Sequence, residues 1–209
     1  MKGILITFEG PDASGKTTQI RLLKEALEKT GRAPLLTREP GGTPIGERIR
    51  EILLDRSCGD MTSMTEMLLY AAARAQHVEQ VIRPALAEGR IVISDRFTDS
   101  SIAYQGAGRE MGAVVEEVNG IAVDGLQPDL TFLLLTEPES MRKRISADRE
   151  DRIEAEADEF HLRVLEGFRE IQKNDPERVV PIDGSRTIEE ISEEIISRTM
   201  TFIKERNEE

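Results

Sequence analysis

Short apolar runs alternate along the chain with longer stretches in which apolar residues recur every three or four positions. The short runs are rich in Val, Ile and Leu, a composition typical of strands that are buried on both faces. Glycine, proline or charged residues border each run and mark its ends. Predicted strands cover residues 3–8, 33–37, 90–94, 130–135 and 179–182.

The longer stretches show the periodicity of amphipathic helices. Predicted helices cover residues 16–29, 45–54, 62–88, 140–147 and 155–173, two shorter segments between 100 and 121, and the chain from about 187 onwards. We expect Pro84 to bend or break the longest of them, because proline removes a helical hydrogen bond. Strands that alternate with helices predict an α/β fold, with a five-stranded parallel sheet flanked by helices on both faces.

Length and charge limit the class of protein. A chain of 209 residues without repeats or a Pro/Ser-rich linker predicts one domain spanning residues 1–209. The net charge of −12, from 28 basic and 40 acidic side chains, argues against binding nucleic acid or an anionic membrane through the overall field. A small anionic ligand stays possible, and 21 of the basic residues are Arg, whose planar fork suits phosphate oxygens.

Cysteine, histidine and apolar length argue against other classes. The one cysteine, Cys58, cannot form an internal disulfide, and two histidines, His77 and His161, make a zinc site improbable. Both histidines are predicted to be helix-surface residues. The chain has no apolar run long enough for a transmembrane helix, and its first ten residues lack the features of a signal peptide. We therefore expect a cytoplasmic protein.

A glycine-rich segment between the first strand and the first helix fits the phosphate-loop pattern G-x-x-x-x-G-K-[ST]. Backbone N–H groups in such a loop, together with the helix N-terminus, bind phosphate. Lys16 is expected to reach the β- and γ-phosphates and Thr17 to bind Mg²⁺. The alternative is a glycine-rich turn with an exposed lysine. The predicted ATP phosphate-binding residues are Gly10, Pro11, Asp12, Ala13, Ser14, Gly15, Lys16, Thr17 and Thr18.

Two further loops follow predicted strands and carry cations. Arg38 begins the segment Arg-Glu-Pro-Gly-Gly-Thr after the second strand, and Asp95 and Arg96 follow the third. Ligands bind at the carboxyl ends of parallel strands, so these residues point to the same site. Asp95 is a candidate for the Mg²⁺ shell and Arg96 for a second phosphate. Alternatively, Arg38 is a surface charge and Asp95 only ends its strand.

These segments together resemble the thymidylate kinase family. The matching blocks are residues 8–19, 38–43, 68–77, 95–106 and 151–156, in the family's order and over most of the chain. The second and fourth blocks are the most specific. The resemblance implies a phosphate-loop NTPase fold of the nucleoside-monophosphate-kinase type. It also implies transfer of the ATP γ-phosphoryl group to dTMP, with Mg²⁺ as the cofactor, to form dTDP and ADP.

The resemblance assigns residues to the dTMP base. Tyr70 matches the position where the family uses Phe to stack on thymine, although a core aromatic residue is the alternative. Arg74, four residues later on the same helix face, matches the residue that hydrogen-bonds the base. Ser100 and Ser101 match positions that face the thymine edge, and Ser101 is shorter than the Asn or Thr that family members often carry.

The resemblance also assigns residues to the sugar and to the acceptor phosphate of dTMP. Asp12 matches the acidic residue that contacts the deoxyribose 3′-hydroxyl. Tyr104 matches the residue that crowds the sugar 2′ position and favours deoxyribose over ribose. Arg38 and Arg96 match the clamps of the acceptor phosphate.

The phosphate loop departs from part of the family because Ala13 and Ser14 leave it without an arginine. The resemblance then indicates the bacterial-type arrangement, in which a lid supplies the catalytic arginine. A charged segment at about residues 148–156 is the predicted lid, with Arg152 the better match and Arg149 the next. The alternative for these arginines is a solvent-exposed charge pair. Lys16, Arg96, Arg152 and Arg149 are thus the predicted catalytic residues.

The predicted chemistry needs no general base, because the second pKa of a phosphomonoester is about 6 and the acceptor is largely ionised at neutral pH. Three alternatives remain. One is another phosphate-loop kinase, such as a deoxynucleoside kinase. A GTPase-type switch is a second, although the chain lacks Asn-Lys-x-Asp, and a non-catalytic nucleotide-binding module is the third.

The family resemblance also implies a homodimer, for which the apolar stretches in residues 62–88 and 100–122 are candidate faces. Candidates for the adenine pocket are residues 183–186 and Arg144.

Overall fold

A computed structural model of the protein describes residues 3–136 and 151–208. Within these ranges, five parallel strands form one sheet in the order β2-β3-β1-β4-β5, which confirms the predicted fold class. The strand β2 lies one to two residues later than predicted. The strands are β1 Ile4–Glu9, β2 Leu35–Arg38, β3 Ile91–Asp95, β4 Leu130–Leu135 and β5 Val179–Asp183.

Helices connect the strands and cover the sheet. In the described ranges, none of them is long and apolar enough to cross a membrane. The predicted helix at 140–147 lies outside the described residues. The helices are α1 Lys16–Lys29, α2 Pro44–Leu54, α3 Ser63–His77, α4 Arg83–Ala87, α5 Thr98–Ser101, α6 Val114–Val123, α7 Asp158–Asn174 and α8 Ile188–Glu208.

Two stretches of π-helix were not predicted from the periodicity. Val78–Ile82 joins α3 to α4, so the predicted break near Pro84 takes the form of a widened turn. There the Arg83 N–H donates to the carbonyl of Val78, which relieves the conflict of Pro84 with the preceding turn. Ile102–Gly108 continues α5 in the same way, and α6 follows it, so the two shorter helices predicted between residues 100 and 121 are both present.

Strand β1 divides its side chains between two cores, which explains its continuous apolar sequence. Phe8 packs with Leu23 of α1 and Ile195 of α8 on one face of the sheet. Leu5 points to the other face and packs with Ile82. Because both faces of the strand are covered, no polar alternation appears in its sequence.

The carboxyl ends of β1, β2 and β3 lie side by side. The parallel register places Phe8 beside Asp95, and Asp95 beside Arg38 of β2. The loops that follow these strands therefore emerge at one edge of the sheet, as predicted. Asp129 precedes β4 at the opposite edge, where it accepts a hydrogen bond from the backbone of Leu5.

We predict that substitution by alanine at two helical glycines changes the stability of the protein in opposite directions. A Cβ at Gly167 of α7 would lie 2.7 Å from the Cβ of Ala107, so Gly167→Ala should lower the free energy of unfolding by about 1–3 kcal/mol. At Gly120 of α6 a Cβ would meet nothing within 4 Å, and Gly120→Ala should raise it by about 0.5–1 kcal/mol. Urea unfolding of both variants measures the difference. Equal changes in both would contradict the close approach of α7 to residues 102–108.

Candidate active site

The loop after β1 wraps around the side chain of Lys16. Its amine donates to the carbonyls of Gly10 and Pro11, at 2.9 and 2.7 Å, and lies 3.4 Å from the Ser14 hydroxyl. The left-handed Gly10, with φ of 127°, has no room for a Cβ, which would meet the carbonyl oxygen of Leu134 at 2.2 Å. Burial and the charge of Arg96 lower the pKa of Lys16 to about 8.

The candidate magnesium residues lie at the edge of this loop. Thr17 is exposed in the first turn of α1, and Asp95 is half-buried at the end of β3. Across residues 3–136 and 151–208, no three His, Cys, Asp or Glu side chains cluster closely enough to bind a metal by themselves. Mg²⁺ often takes one or two protein oxygens together with waters and phosphate oxygens, so the donors present fit a nucleotide-bound ion.

Arg96 links the phosphate loop to the segment after β3. Its Nη1 donates to the carbonyl of Gly10 at 2.9 Å and to the hydroxyl of Ser100 at 3.0 Å. Its Nη2 donates to Asp12 Oδ1 at 2.7 Å, and the guanidinium lies over the ring of Tyr104, 5.1 Å from the centroid. One arginine therefore touches both the loop and the neighbouring cleft.

Asp12 is held ionised by its surroundings. Burial opposes the charge, but Arg96 and Lys16 together keep the pKa of Asp12 well below its usual range. The hydroxyl of Tyr104 donates to Asp12 Oδ2 at 3.0 Å. Asp12, Arg96 and Tyr104 thus form a closed triangle of contacts between the loop and the helical segment 102–108.

An open cleft lies beside this triangle. Seven of the eight residues predicted to bind dTMP line it, whereas Arg38 does not. The seven are Asp12, Tyr70, Arg74, Arg96, Ser100, Ser101 and Tyr104. Sequence reasoning missed Glu39, Arg50, Gln105 and Ile153, which line the cleft as well. Glu39 could have been found, because it lies within the specific block 38–43.

Arg74 is almost fully buried and is held by four acceptors. Nε donates to Glu39 Oε2 at 2.7 Å and Nη2 to the carbonyl of Phe97 at 2.9 Å. Nη1 donates to the hydroxyl of Ser101 at 2.9 Å and to Oδ1 of Asn119. These contacts leave the guanidinium a single orientation at the cleft wall.

His77 is completely buried, so its prediction as a helix-surface residue is wrong. Its Nδ1 lies 2.9 Å from Glu39 Oε1, and its Nε2 lies 2.5 Å from the hydroxyl of Thr37. The histidine therefore braces Glu39, which in turn holds Arg74. Helical periodicity carries no information on these two partners, which lie in β2 and directly after it.

Arg38 is not among the residues that line the cleft. It is half exposed and pairs with Glu47 of α2 at 2.7 Å. Glu47 also accepts the backbone N–H of Gly42 at 2.8 Å, so the carboxylate closes the loop that follows β2.

A thymidylate kinase family model matches residues 8–195 of the chain. The chain belongs to the thymidylate kinase family. This finding confirms the resemblance that the motif blocks indicated.

Named relatives agree with the assignment. A thymidylate kinase of Exiguobacterium sp. strain AT1b is 48% identical, over 98% of each chain. One of Pelotomaculum thermopropionicum is 53% identical, over 89% of this chain and 88% of its own. The crystal structure of thymidylate kinase from Ehrlichia chaffeensis superimposes with a TM-score of 0.77 at 34% identity, over 95% of this chain and 99% of that one.

The described part of the predicted lid packs against the end of α2 and against α3. Arg152 is almost buried, with Nε donating to the carbonyl of Leu53 at 2.9 Å and Nη2 lying 2.7 Å from Glu66 Oε2. Asp151 and Ile153 on either side of it line the cleft. Arg149 lies outside the described residues.

Glu66 of α3 is contacted by donors from two other segments, a role that sequence reasoning missed. It is buried and accepts from Gln105 at 2.9 Å and from Arg109 through Nε and Nη2. Together with the charge of Arg152 it links α3, residues 102–109 and the lid segment. Its position one turn before Tyr70 was the signal available in the sequence.

Of the adenine-pocket candidates, the structure describes residues 183–186. Asp183 accepts the backbone N–H and the hydroxyl of Ser185 in a tight turn, and Arg186 pairs with Glu194 at the surface. A Cβ at Gly184 would meet the Thr136 hydroxyl at 2.2 Å. Arg144 lies outside the described residues.

Glu9, at the end of β1, is completely buried. Its Oε1 accepts the backbone N–H of Phe97 at 2.7 Å, and its Oε2 accepts the hydroxyl of Ser100 at 2.5 Å. Burial, reinforced by the charge of Asp99, raises the pKa of Glu9 to about 8.

This raised pKa predicts a pH dependence of stability. The folded protein holds a proton on Glu9 that the unfolded chain releases near the ordinary glutamate pKa of 4.5, so stability falls as pH rises from about 4.5 to 8. Between pH 5 and 8 the stability difference between wild type and Glu9→Gln should shift by more than about 1 kcal/mol, in favour of the variant at high pH. Urea unfolding at both pH values tests this. Parallel pH profiles would contradict it.

Proposed function

We propose that the phosphate loop binds ATP, that the cleft binds dTMP, and that phosphoryl transfer takes place between them beside Arg96. Membership of the thymidylate kinase family carries the reaction itself, the ATP-dependent phosphorylation of dTMP to dTDP. The observation that supports this division of the site is Arg96, whose guanidinium contacts Gly10 and Asp12 of the loop and Ser100 of the cleft.

In this proposal the loop residues Gly10, Pro11, Asp12, Ala13, Ser14, Gly15, Lys16, Thr17 and Thr18 hold the ATP phosphates. The amine of Lys16, capped by loop carbonyls here, turns to the β- and γ-phosphates. Thr17 and Asp95 would hold Mg²⁺ through their side-chain oxygens, and the ion would supply charge neutralisation at the transferring group.

The cleft residues divide by their chemistry. Tyr70 offers a flat ring for the thymine, and Arg74 with Ser101 offers fixed polar groups for the base edge. Tyr104 and Asp12 are joined by a hydrogen bond and contact the sugar. Arg96 binds the acceptor phosphate. Arg38 leaves its exposed ion pair with Glu47, which costs little, and binds the same phosphate. Ser100 contacts the substrate beside Arg96.

Catalysis then depends on position and charge rather than on a base. The acceptor phosphate is already largely ionised at neutral pH, because its second pKa is about 6. Lys16, Arg96 and an arginine of the lid, Arg152 or Arg149, neutralise the charge that develops on the transferring group.

The proposed use of the cleft predicts which acceptor substrate is phosphorylated fastest. With ATP and Mg²⁺, release of ADP should be fastest with dTMP, slower with dUMP, dCMP and dGMP, and close to background with thymidine. Thymidine lacks the phosphate that Arg96 and Arg38 bind in this proposal. Faster turnover on another monophosphate would overturn the substrate assignment, and turnover on thymidine would favour a deoxynucleoside kinase.

The lid assignment predicts that Arg152→Ala lowers kcat by about 10³-fold or more, while the dTMP KM changes little. Arg109→Ala is the comparison variant, because it removes the other arginine from Glu66 and leaves Arg152 in place. It also removes the ion pair of Arg109 with Glu156 of the lid segment, so it reports the cost of loosening that segment without losing its arginine. Steady-state kinetics should show a much smaller loss of kcat for the comparison variant. Equal losses in both variants would assign Arg152 to structure alone.

A homodimer belongs to the same proposal. Large apolar side chains are exposed on α2, α3 and α6, and the most exposed is Ile121 at 82%. The faces predicted from residues 62–88 and 100–122 include Met64, Leu68 and Ile121, to which α2 adds Ile45 and Ile52. Contact with a second copy would remove these side chains from water. The single domain and the cytoplasmic location stay predictions.

A further inference from the structure

The carboxylate of Glu9 has no part in the substrate contacts proposed above, yet it forms hydrogen bonds with residues that follow Arg96 in the chain. It is the last residue of β1, completely buried, and it precedes the first glycine of the phosphate loop. Each of its two oxygens accepts one hydrogen bond from the segment that carries Arg96.

The first oxygen fixes the backbone at Arg96. Arg96 has a left-handed φ of 70°, a conformation that L-residues other than Asn and Asp rarely adopt. Hydrogen bonds hold the chain on both sides of it: the Arg96 N–H donates to the carbonyl of Phe8 at 2.9 Å, and the Phe97 N–H donates to Glu9 Oε1 at 2.7 Å. Glu9 therefore stabilises a turn that the backbone alone disfavours.

The second oxygen fixes the side chain of Arg96 through Ser100. A serine hydroxyl has one proton to donate and two lone pairs that accept. Ser100 donates to Glu9 Oε2 at 2.5 Å, which leaves its lone pairs for Arg96 Nη1 at 3.0 Å. The chain of bonds from Arg96 to Ser100 to Glu9 orients the guanidinium toward the cleft.

We propose that Glu9 is a positioning residue for the acceptor phosphate, acting on the backbone of Arg96 through Phe97 and on its guanidinium through Ser100. The proposal rests on the proposed function of Arg96 as the clamp of that phosphate. Glu9 itself touches no substrate. Its effect should consequently appear only with ligands that carry the phosphate.

Glu9→Gln in the full-length enzyme is the primary test. The substituted amide keeps an oxygen for the Phe97 N–H but turns a donor toward Ser100, so the serine can no longer donate there. Calorimetric titration without ATP at pH 9, above the raised pKa of Glu9, where its carboxylate only accepts hydrogen bonds, should show dTMP binding weakened about 10-fold or more, the loss typical of a hydrogen bond to a charged group. Thymidine, which has the same base and sugar but no phosphate, should bind within about twofold of wild type.

Asp129→Asn is the matched control. Asp129 likewise accepts one backbone N–H, that of Leu5, and pairs with one arginine, Arg206, but at the opposite edge of the sheet. This acid-to-amide change should leave the ratio of dTMP to thymidine affinity at the wild-type value.

Ser100→Ala supplies an independent test that leaves the Phe97 contact intact. It should lower the ratio of dTMP to thymidine affinity as Glu9→Gln does, because any contact of Ser100 with the base or sugar is common to both ligands, and combining the two changes should add little further. This variant also decides the question if Glu9→Gln does not fold.

The binding data distinguish the positioning role of Glu9 from the phosphate-binding role of Arg96. Equal weakening of dTMP and thymidine by Glu9→Gln, or no weakening of either, overturns the positioning role. Arg96→Gln must also lower the ratio of dTMP to thymidine affinity. If Glu9→Gln is inert while Arg96→Gln lowers that ratio, the phosphate clamp holds and only Glu9 is excluded. An unchanged ratio in Arg96→Gln would overturn the clamp itself, and the role of Glu9 with it.

Discussion

The site depends on one guanidinium that bridges two loops. Arg96 donates to Gly10, Asp12 and Ser100, and its side chain also stacks on Tyr104. Lys16 lies close enough for Arg96 to lower its pKa, so two cations share a small volume. Asp12, held ionised between them, offsets their repulsion in the protein without ligands. The concentration of positive charge is what a site for two phosphorylated ligands requires.

The sheet makes this bridge possible. Strands β1 and β3 are neighbours, and their register sets Phe8 beside Asp95. The loops that follow them must leave at the same edge, so Asp12 and Arg96, 84 residues apart in the sequence, meet directly. The two apolar cores on either side of β1 fix that register, because a slip by one residue would exchange its two buried faces. Packing far from the ligands therefore determines how precisely Arg96 meets the phosphate loop.

Features with a local or periodic signal could be predicted from the sequence. The parallel sheet followed from five apolar runs, and seven cleft residues followed from motif blocks. Features set by distant partners could not. His77 shows an ordinary helical pattern but is buried against Thr37 and Glu39, and the exposed Arg38 turns to Glu47. The π-helical turns at Val78–Ile82 and Ile102–Gly108 shift the period by one residue only, which periodicity cannot resolve.

The two arginines that contact Glu66, Arg109 and Arg152, are bound to it with unequal strength. This difference concerns the proposed lid, because Arg152 belongs to it. Arg109 donates two hydrogen bonds to Glu66, and Gln105 donates a third. Arg152 contributes a charge contact at 2.7 Å, but its buried Nη2 has no aligned hydrogen bond. If Arg152 leaves, Glu66 keeps three donors and no buried carboxylate is left unpaired. The loss is confined to one charge contact and the bonds to the end of α2. The arginine proposed to move to the transferring phosphate needs such a position, because its departure leaves the contacts of Glu66 with residues 102–109 intact.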